Sequence, residues 1–287
     1  SKCRNYRIDQ QKEDKTMSIF THKSVLAAIA VTGVVAIAGI NTASAAAIAG
    51  SKHDLSSGGS AQNGGFGVNE ICVYCHTPHG SNTNADVPLW NKKLPSTTYT
   101  TYSTVNSTSI DGAVEAVGSV SIACLSCHDG TQAMDVMING TGSGNYDATD
   151  SGSGATGEMT NLSGTPIPML GADLSNDHPI GIQYGGGGIT ASNPTNPTTD
   201  KDFNAPQTTI INSQQVWWVD VTGFGSAGTR DKTDMQLYSR LGVVSGSGEI
   251  EPFVECASCH DPHRGDNATF LRVNNDGSQV CLACHDK

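Results

Sequence analysis

One long apolar run stands out in a chain whose hydrophobic positions otherwise show little regular spacing. Residues 25–40 are almost wholly apolar, and Ala43-Ser44-Ala45 follows them. A run of this length is short for a membrane span, whereas small residues after it are typical of a cleaved secretory signal peptide. The pattern therefore predicts an exported mature chain that does not span a membrane.

The same pattern divides the chain into three parts. The expected start of the signal peptide is Met17, and this peptide covers residues 17–45. Residues 1–16 are polar and charged, and we interpret them as an upstream or non-native segment. Residues 46–287 are predicted to form a single mature domain.

Within the mature domain, β-like patterning is limited to residues 208–212 and 216–222. Segments such as Gly185-Gly186-Gly187-Gly188 and the proline-containing stretch 193–197 are typical of loops. We therefore predict a fold that is mostly irregular coil, with short helices and few strands.

Composition limits what the chain can build and bind. Only 6% of the residues are aromatic and 33 are glycine, so we expect too little apolar material for a large conventional core. The 27 acidic and 16 basic residues give a net charge of −11. A nucleic-acid partner is not expected, because proteins bind phosphate backbones through basic patches.

Four copies of Cys-x-x-Cys-His supply the candidate chemistry. In each copy the two thiols can add to the vinyl groups of a haem, and the histidine becomes the proximal iron ligand. A zinc site or a redox disulfide is the alternative for a single copy, but four copies with a fixed histidine argue against it. The sequence therefore predicts four covalently attached haem c groups, which would also supply the missing core. The cysteines are Cys72, Cys75, Cys124, Cys127, Cys256, Cys259, Cys281 and Cys284, and the proximal histidines are His76, His128, His260 and His285.

Four further histidines of the mature domain match the four sixth iron ligands that are needed. They are His53, His79, His178 and His263. We therefore predict bis-histidine ligation at every haem. Methionine is the competing ligand, and Met134, Met137, Met159, Met169 and Met235 are available. Trp217 and Trp218 are expected to pack against haem edges.

Two motifs carry a second histidine three residues after the proximal one. In a helical turn, residues at i and i+3 lie on the same side, so this second ring cannot reach the distal face of its own haem. We expect His79 to serve the haem of Cys124/Cys127, and His263 the haem of Cys281/Cys284. His53 and His178 then serve the other two haems, in either order.

Several segments resemble a known family. The segments CVYCHTPHG (72–80), CLSCHDG (124–130), DHPIG (177–181), CASCHDPH (256–263) and the terminal CLACH are similar to doubled-CxxCH multihaem c-type cytochromes. Together with a signal peptide and four motifs, they resemble the tetrahaem extracellular filament, or nanowire, cytochromes of the OmcE type. The resemblance implies a fold organised around a stacked haem chain, a head-to-tail homopolymer, and a histidine that crosses between subunits. The matching N-terminal position is His53.

The resulting expectation is an electron-transfer protein without an enzymatic activity. Its partners would be copies of itself, other redox cytochromes or extracellular electron acceptors, and its location would be extracellular or the cell surface. A discrete periplasmic tetrahaem shuttle is the alternative. A multihaem reductase is a further alternative, which the balance of histidines against iron positions disfavours.

Overall fold

The computed structural model describes residues 48–56, 69–102, 109–132, 134, 136–140 and 169–286. The predicted upstream segment 1–16, the predicted signal peptide 17–45 and Met159 lie outside the described residues. Among the described residues, no helix has the length and apolar character needed to cross a membrane.

Five strands form one antiparallel sheet. They are β1 (Ile182–Gln183), β2 (Gln207–Ile211), β3 (Gln214–Val219), β4 (Met235–Leu241) and β5 (Ile250–Val254). Their order across the sheet is β1-β5-β4-β3-β2, and each neighbouring pair is antiparallel. The prediction of a mostly irregular fold with few strands is therefore wrong.

Local chemistry explains the β2–β3 hairpin. Asn212 and Ser213 form its two-residue loop, with φ angles of +49° and +65°. Positive φ at both positions gives a turn whose twist matches that of the flanking strands. The hairpin aligns Trp217 with Thr208 and Trp218 with Gln207, so the two tryptophans lie on opposite faces of the sheet.

The strands that the sequence pattern did not reveal are β4 and β5, because polar residues interrupt both. Arg240 of β4 lies opposite Glu251 of β5. Pro252 is tolerated inside β5 because β1 pairs only with Phe253 and Val254, so no strand faces the proline on that side. The sheet thus forms from segments that have neither a clean alternation nor a continuous apolar run.

The sheet carries a protein core, which corrects the expectation that haem must supply most of it. Ten buried residues pack together, and Cys259 and Cys284 pack against this cluster. Its members are Tyr184, Ile189, Trp217, Val219, Val221, Met235, Leu237, Val254, Val273 and Ala283. The sheet therefore provides the platform on which the C-terminal motifs rest.

Three short α-helices within residues 121–286 carry motif cysteines. They are α1 (Ser121–His128), α2 (Cys256–Cys259) and α3 (Gln279–Cys284). Three 3₁₀ turns cover Tyr184–Gly186, Ala268–Phe270 and Asp276–Ser278. Strand β5 ends at Val254 and α2 begins at Cys256, so the sheet fixes the position of the third motif directly.

Candidate haem-binding sites

The second motif lies inside α1, and the other three motifs close a similar helical turn. The backbone N–H of the proximal histidine donates to the carbonyl of the first cysteine, at 2.8 Å for His76, 3.1 Å for His260 and 2.9 Å for His285. In such a turn the two cysteines of a motif are three residues apart and lie on one side of the helix, where both thiols can meet one porphyrin. All eight motif cysteines are free thiols.

Two proximal histidines are oriented by the same kind of contact, between the ring Nδ1 and a backbone carbonyl oxygen. The ring Nδ1 lies 2.7 Å from the carbonyl oxygen of Pro88 in His76, and 2.7 Å from that of Thr269 in His260. A proton on Nδ1 that is donated to a carbonyl leaves Nε2 free to bind a metal. The donor set therefore fits axial ligation of a haem iron.

Two of the other histidines face proximal rings. The ring centroids of His76 and His263 are 6.1 Å apart with an interplanar angle of 17°, and those of His53 and His128 are 6.2 Å apart at 77°. Two imidazoles on opposite sides of one iron require a centroid separation of about 6 Å, given metal–nitrogen bonds of about 2 Å. Both pairs have the spacing that a bis-histidine haem needs.

His53 is held firmly although it lies close to the start of the described chain. Its ring stacks on Phe270 with 4.1 Å between centroids, and its Nδ1 lies 3.4 Å from the carbonyl oxygen of Pro262. Burial, followed by the nearby His128, lowers the pKa of His53 to about 4. The ring is therefore neutral at physiological pH, which is the form that binds metals.

These contacts replace the pairing that was predicted from helical stereochemistry. His263 faces His76 of the first motif, and not His285 of the fourth. His53 faces His128, the proximal histidine of the second motif, in its own chain. Tertiary packing brings the N-terminal arm and the third motif to these rings, and a local i, i+3 argument does not contain that information.

His79 and His178 have contrasting surroundings. His79 is exposed, and among the described residues its ring makes no recorded contact. Burial lowers the pKa of His178, and the neighbouring His285 and then His260 lower it further. These interactions place His178 near the proximal histidines of the last two motifs.

The thiols indicate the spatial order of the four motifs. Cys75 and Cys127 pack against one apolar cluster, and Cys259 and Cys284 pack against another. Between them, the thiols of Cys124 and Cys256 interact with each other, which raises the pKa of Cys124 and lowers that of Cys256. The motifs thus follow one another in space in the order in which they occur along the chain.

Burial dominates the electrostatics of three other thiols. It raises the pKa of Cys75 to about 12, that of Cys259 to about 11 and that of Cys284 to about 12. The charge of a thiol from a neighbouring motif contributes to each of these rises in pKa. These environments suit a neutral thioether better than a metal-bound thiolate.

A buried tryptophan also fits the predicted cofactor. The Trp90 ring lies edge-on to His76, with 6.2 Å between centroids. Its indole nitrogen is buried and has no hydrogen-bond partner among the described residues. A donor of this kind beside a proximal histidine is suited to a haem carboxylate.

The predicted packing residues have different positions. Trp217 lies in the cluster that touches Cys259 and Cys284, whereas the indole nitrogen of Trp218 donates to Asp220 at 2.8 Å. The described methionines divide in the same way. Met134 and Met137 pack near Cys75 and Cys127, Met235 lies in the sheet core, and Met169 is exposed.

Sequence reasoning missed the buried polar side chains that support the motifs. The Asn91 side-chain amide donates to the carbonyl oxygen of Val73 at 2.6 Å, and Arg272 Nη2 donates to that of Ala257 at 2.9 Å. Val73 and Ala257 each follow the first cysteine of a motif. No shared spacing marks the two donors, so the sequence contains no simple signal for them.

Known proteins support the assignment at the level of the motif. Residues 251–287 match the family model for the doubled CXXCH motif. No curated protein matches the chain. The match supports a multihaem c-type cytochrome that binds haem covalently and transfers electrons.

Proposed function

We propose that the chain carries four haem c groups, transfers electrons, and assembles head-to-tail with copies of itself into an extracellular conductive filament. Haem iron, when bound, takes up and releases single electrons without binding a substrate. The chain contributes a row of adjacent attachment sites. The neighbouring thiol pairs Cys75/Cys127, Cys124/Cys256 and Cys259/Cys284 support such a row.

The proposed assembly rests on the observation that fewer spare histidines than haem sites are placed beside proximal rings within one chain. His178 is shared by the last two motifs and can complete only one iron. One of these two irons therefore still needs a sixth ligand, because His53 and His263 face the proximal rings of the other two motifs. His79 is exposed and free to reach a second copy of the chain, and it therefore takes the boundary role that the resemblance gave to His53.

A ligand that passes from each copy to the next makes a head-to-tail interface. Such an interface grows into a fibre when its rotation does not close a ring. Other redox cytochromes and extracellular acceptors are the proposed partners at the fibre ends, and secretion follows from the proposed signal peptide. The acidic excess would favour cationic or mineral acceptor surfaces.

The test compares wild type with His79→Ala and with Asn84→Ala, an exposed change in the same loop. Intact mass should show four haem additions in all three proteins. Wild type and Asn84→Ala should form filaments that contain only low-spin haem. His79→Ala should remain as soluble subunits with one high-spin haem.

Three results would contradict parts of this proposal. Fewer than four haem additions would remove the tetrahaem assignment. Dilute wild-type monomers with only low-spin haem would favour the periplasmic shuttle. A haem that binds carbon monoxide in the assembled protein would favour the reductase, because it would reveal an open iron position.

A further inference from the structure

The first residue of α1 meets the residue that precedes α2 in a buried junction. Ser121 Oγ donates to Glu255 Oε2 at 2.5 Å and accepts the backbone N–H of Cys256 at 2.9 Å. The two partners are 134 residues apart in sequence. The first helix carries the cysteines of the second motif, and the other helix carries those of the third.

A cation from the sheet completes the junction. Arg240 of β4 donates from Nη1 to Glu255 Oε1 at 2.8 Å and from Nη2 to the carbonyl oxygen of Ala116 at 2.7 Å. The Glu255 carboxylate also accepts the backbone N–H of Ser258 in a capping box. Three elements are thereby tied to one carboxylate: the segment leading into α1, strand β4 and helix α2.

The burial of this ion pair indicates a positional role. The Glu255 side chain is fully buried and that of Arg240 is 15% exposed. Removing two charges from water is costly, and a buried ion pair often adds little net stability, but its strict geometry can fix one arrangement of the surrounding elements. Both carboxylate oxygens have hydrogen-bond donors here, so the geometry is fully specified.

The backbone is shaped to admit the guanidinium group. A Cβ atom at Gly118 would lie 3.3 Å from Arg240 Nη2, and one at Gly181 would lie 3.2 Å from Nη1. Gly181 also has a φ of +64°, which disfavours any other residue. Two glycines from separate loops therefore leave room for Arg240 to reach Glu255.

We propose that Glu255, with Ser121 and Arg240, is a positioning clamp that fixes the separation of the second and third haem sites. This inference rests on the proposed function. The junction joins the second motif to the third, and so links the first two motifs to the last two. A shift of α1 against α2 would move two covalently attached groups relative to each other.

The experiment measures haem–haem coupling in Glu255→Ala, Glu255→Gln and Ser121→Ala. Two readouts serve: the amplitude of the Soret circular-dichroism couplet, and the rate of electron transfer between the two haem pairs after flash reduction. Glu255→Ala should weaken the couplet and slow transfer by about tenfold or more, because misplacement of about 1 Å has effects of that size or larger. Glu255→Gln keeps the side-chain shape and one acceptor oxygen, so it should restore part of the coupling that Glu255→Ala loses.

Glu251→Ala is the matched control. Glu251 is also buried on β5 and accepts a hydrogen bond from Ser245 Oγ, and it makes no recorded contact with a motif. It should leave the couplet unchanged. If Glu255→Ala loses haem, the couplet and the transfer rate are measured instead in Ser121→Ala, which removes only one hydroxyl.

Different results would contradict the proposed function and the clamp. Fewer than four haem additions in wild type would overturn the proposed function. Four haem additions with an unchanged couplet and rate in Glu255→Ala, or in Ser121→Ala if the former loses haem, would overturn the clamp.

Discussion

The first and third motifs have nearly the same backbone framework, which is the set of hydrogen bonds and turns around the proximal histidine. They place their second histidines differently. In both, the residue after the proximal histidine donates its N–H at 2.8 Å, from Thr77 to Leu89 and from Asp261 to Phe270. Leu89 and Phe270 share a rare positive φ, of +58° and +59°. The two frameworks therefore repeat although their intervening loops differ in length.

The difference lies at one position beside the proximal histidine. Asp261 Oδ1 accepts the backbone N–H of His263 at 3.0 Å and lies 3.4 Å from the ring Nδ1. The hydroxyl of Thr77 instead donates to the backbone carbonyl oxygen of His79 at 3.0 Å. The ring of His263 is held opposite His76, whereas that of His79 remains exposed. A shared motif thus builds the proximal half of a site, and its surroundings decide the distal half.

Removal of the His263 ring and of the His79 ring should show the largest difference between the two motifs. His263→Ala should turn the haem of Cys72/Cys75 high-spin, because His76 then loses the imidazole that faces it. His79→Ala should leave every haem of a dilute subunit in its wild-type spin state. Paramagnetic resonance combined with resonance Raman spectroscopy measures both.

The assignment of the affected haem is the informative part. Motif variants that lack Cys72 and Cys75 identify which signal belongs to that site. A high-spin signal at the Cys281/Cys284 haem in His263→Ala would restore the sequence-based pairing and contradict the geometry.

Replacement of the buried donors tests whether the two frameworks are equally important. Arg272→Met should lower the free energy of unfolding by about 3 kcal/mol, because the carbonyl oxygens of Ala257, Ser258 and Lys232 lose their donor. Asn91→Leu should cost about 2 kcal/mol for the same reason. Denaturant titration followed at the Soret band measures both.

Arg264→Met is the control for these changes. Arg264 makes only long contacts, at 3.4 Å, with Asp266 and with the Arg272 carbonyl oxygen. Its replacement should change the free energy of unfolding by less than about 0.5 kcal/mol. Equal losses in Arg264→Met and Arg272→Met would show that the buried bonds do not support the third motif.

The sequence suffices to propose the attachment residues, because their chemistry depends on close neighbours along the chain. It failed for the sheet, since β4 and β5 gain their apolar environment from partners far away in sequence. Arg240 illustrates the reason: in sequence it is an ordinary charged residue, and only the fold shows that it meets Glu255. The pairing of His53 with His128 depends on tertiary contacts in the same way.

Exchanging Asp261 and Thr77 between the two motifs should have a smaller effect, which appears in carbon monoxide binding. Asp261→Thr gives the third motif the residue of the first, and the His263 ring loses its carboxylate partner. A hydrogen bond of this kind contributes about 1 kcal/mol. Carbon monoxide should therefore compete about fivefold better at the haem of Cys72/Cys75.

The reciprocal change is the control. Thr77→Asp should not alter carbon monoxide binding in a dilute subunit, because the His79 ring faces no proximal histidine there. An equal rise in affinity in both variants would show that the carboxylate acts through general charge and not through the His263 ring.

The smallest change in stability is expected in the N-terminal arm, residues 50–56, which carries His53. Asp54 accepts hydrogen bonds from the backbone N–H of Gly50 at 2.8 Å and from the Ser56 hydroxyl at 2.5 Å. The Ser56 hydroxyl, more than any other group, lowers the pKa of Asp54 from its usual value of 3.8. Asp54→Asn should weaken the arm by about 1 kcal/mol.

The pH dependence of this effect has a defined sign. A carboxyl with a lowered folded-state pKa contributes stability above pH 3.8, and the contribution is lost as the pH falls through the folded-state value. Wild type and Asp54→Asn should therefore differ at neutral pH and converge in acid. Hydrogen exchange at residues 50–56 measures the difference locally. A difference that grows as the pH falls would show that Asp54 does not anchor the arm as an anion, and His53 would then depend on Phe270 and Pro262 alone.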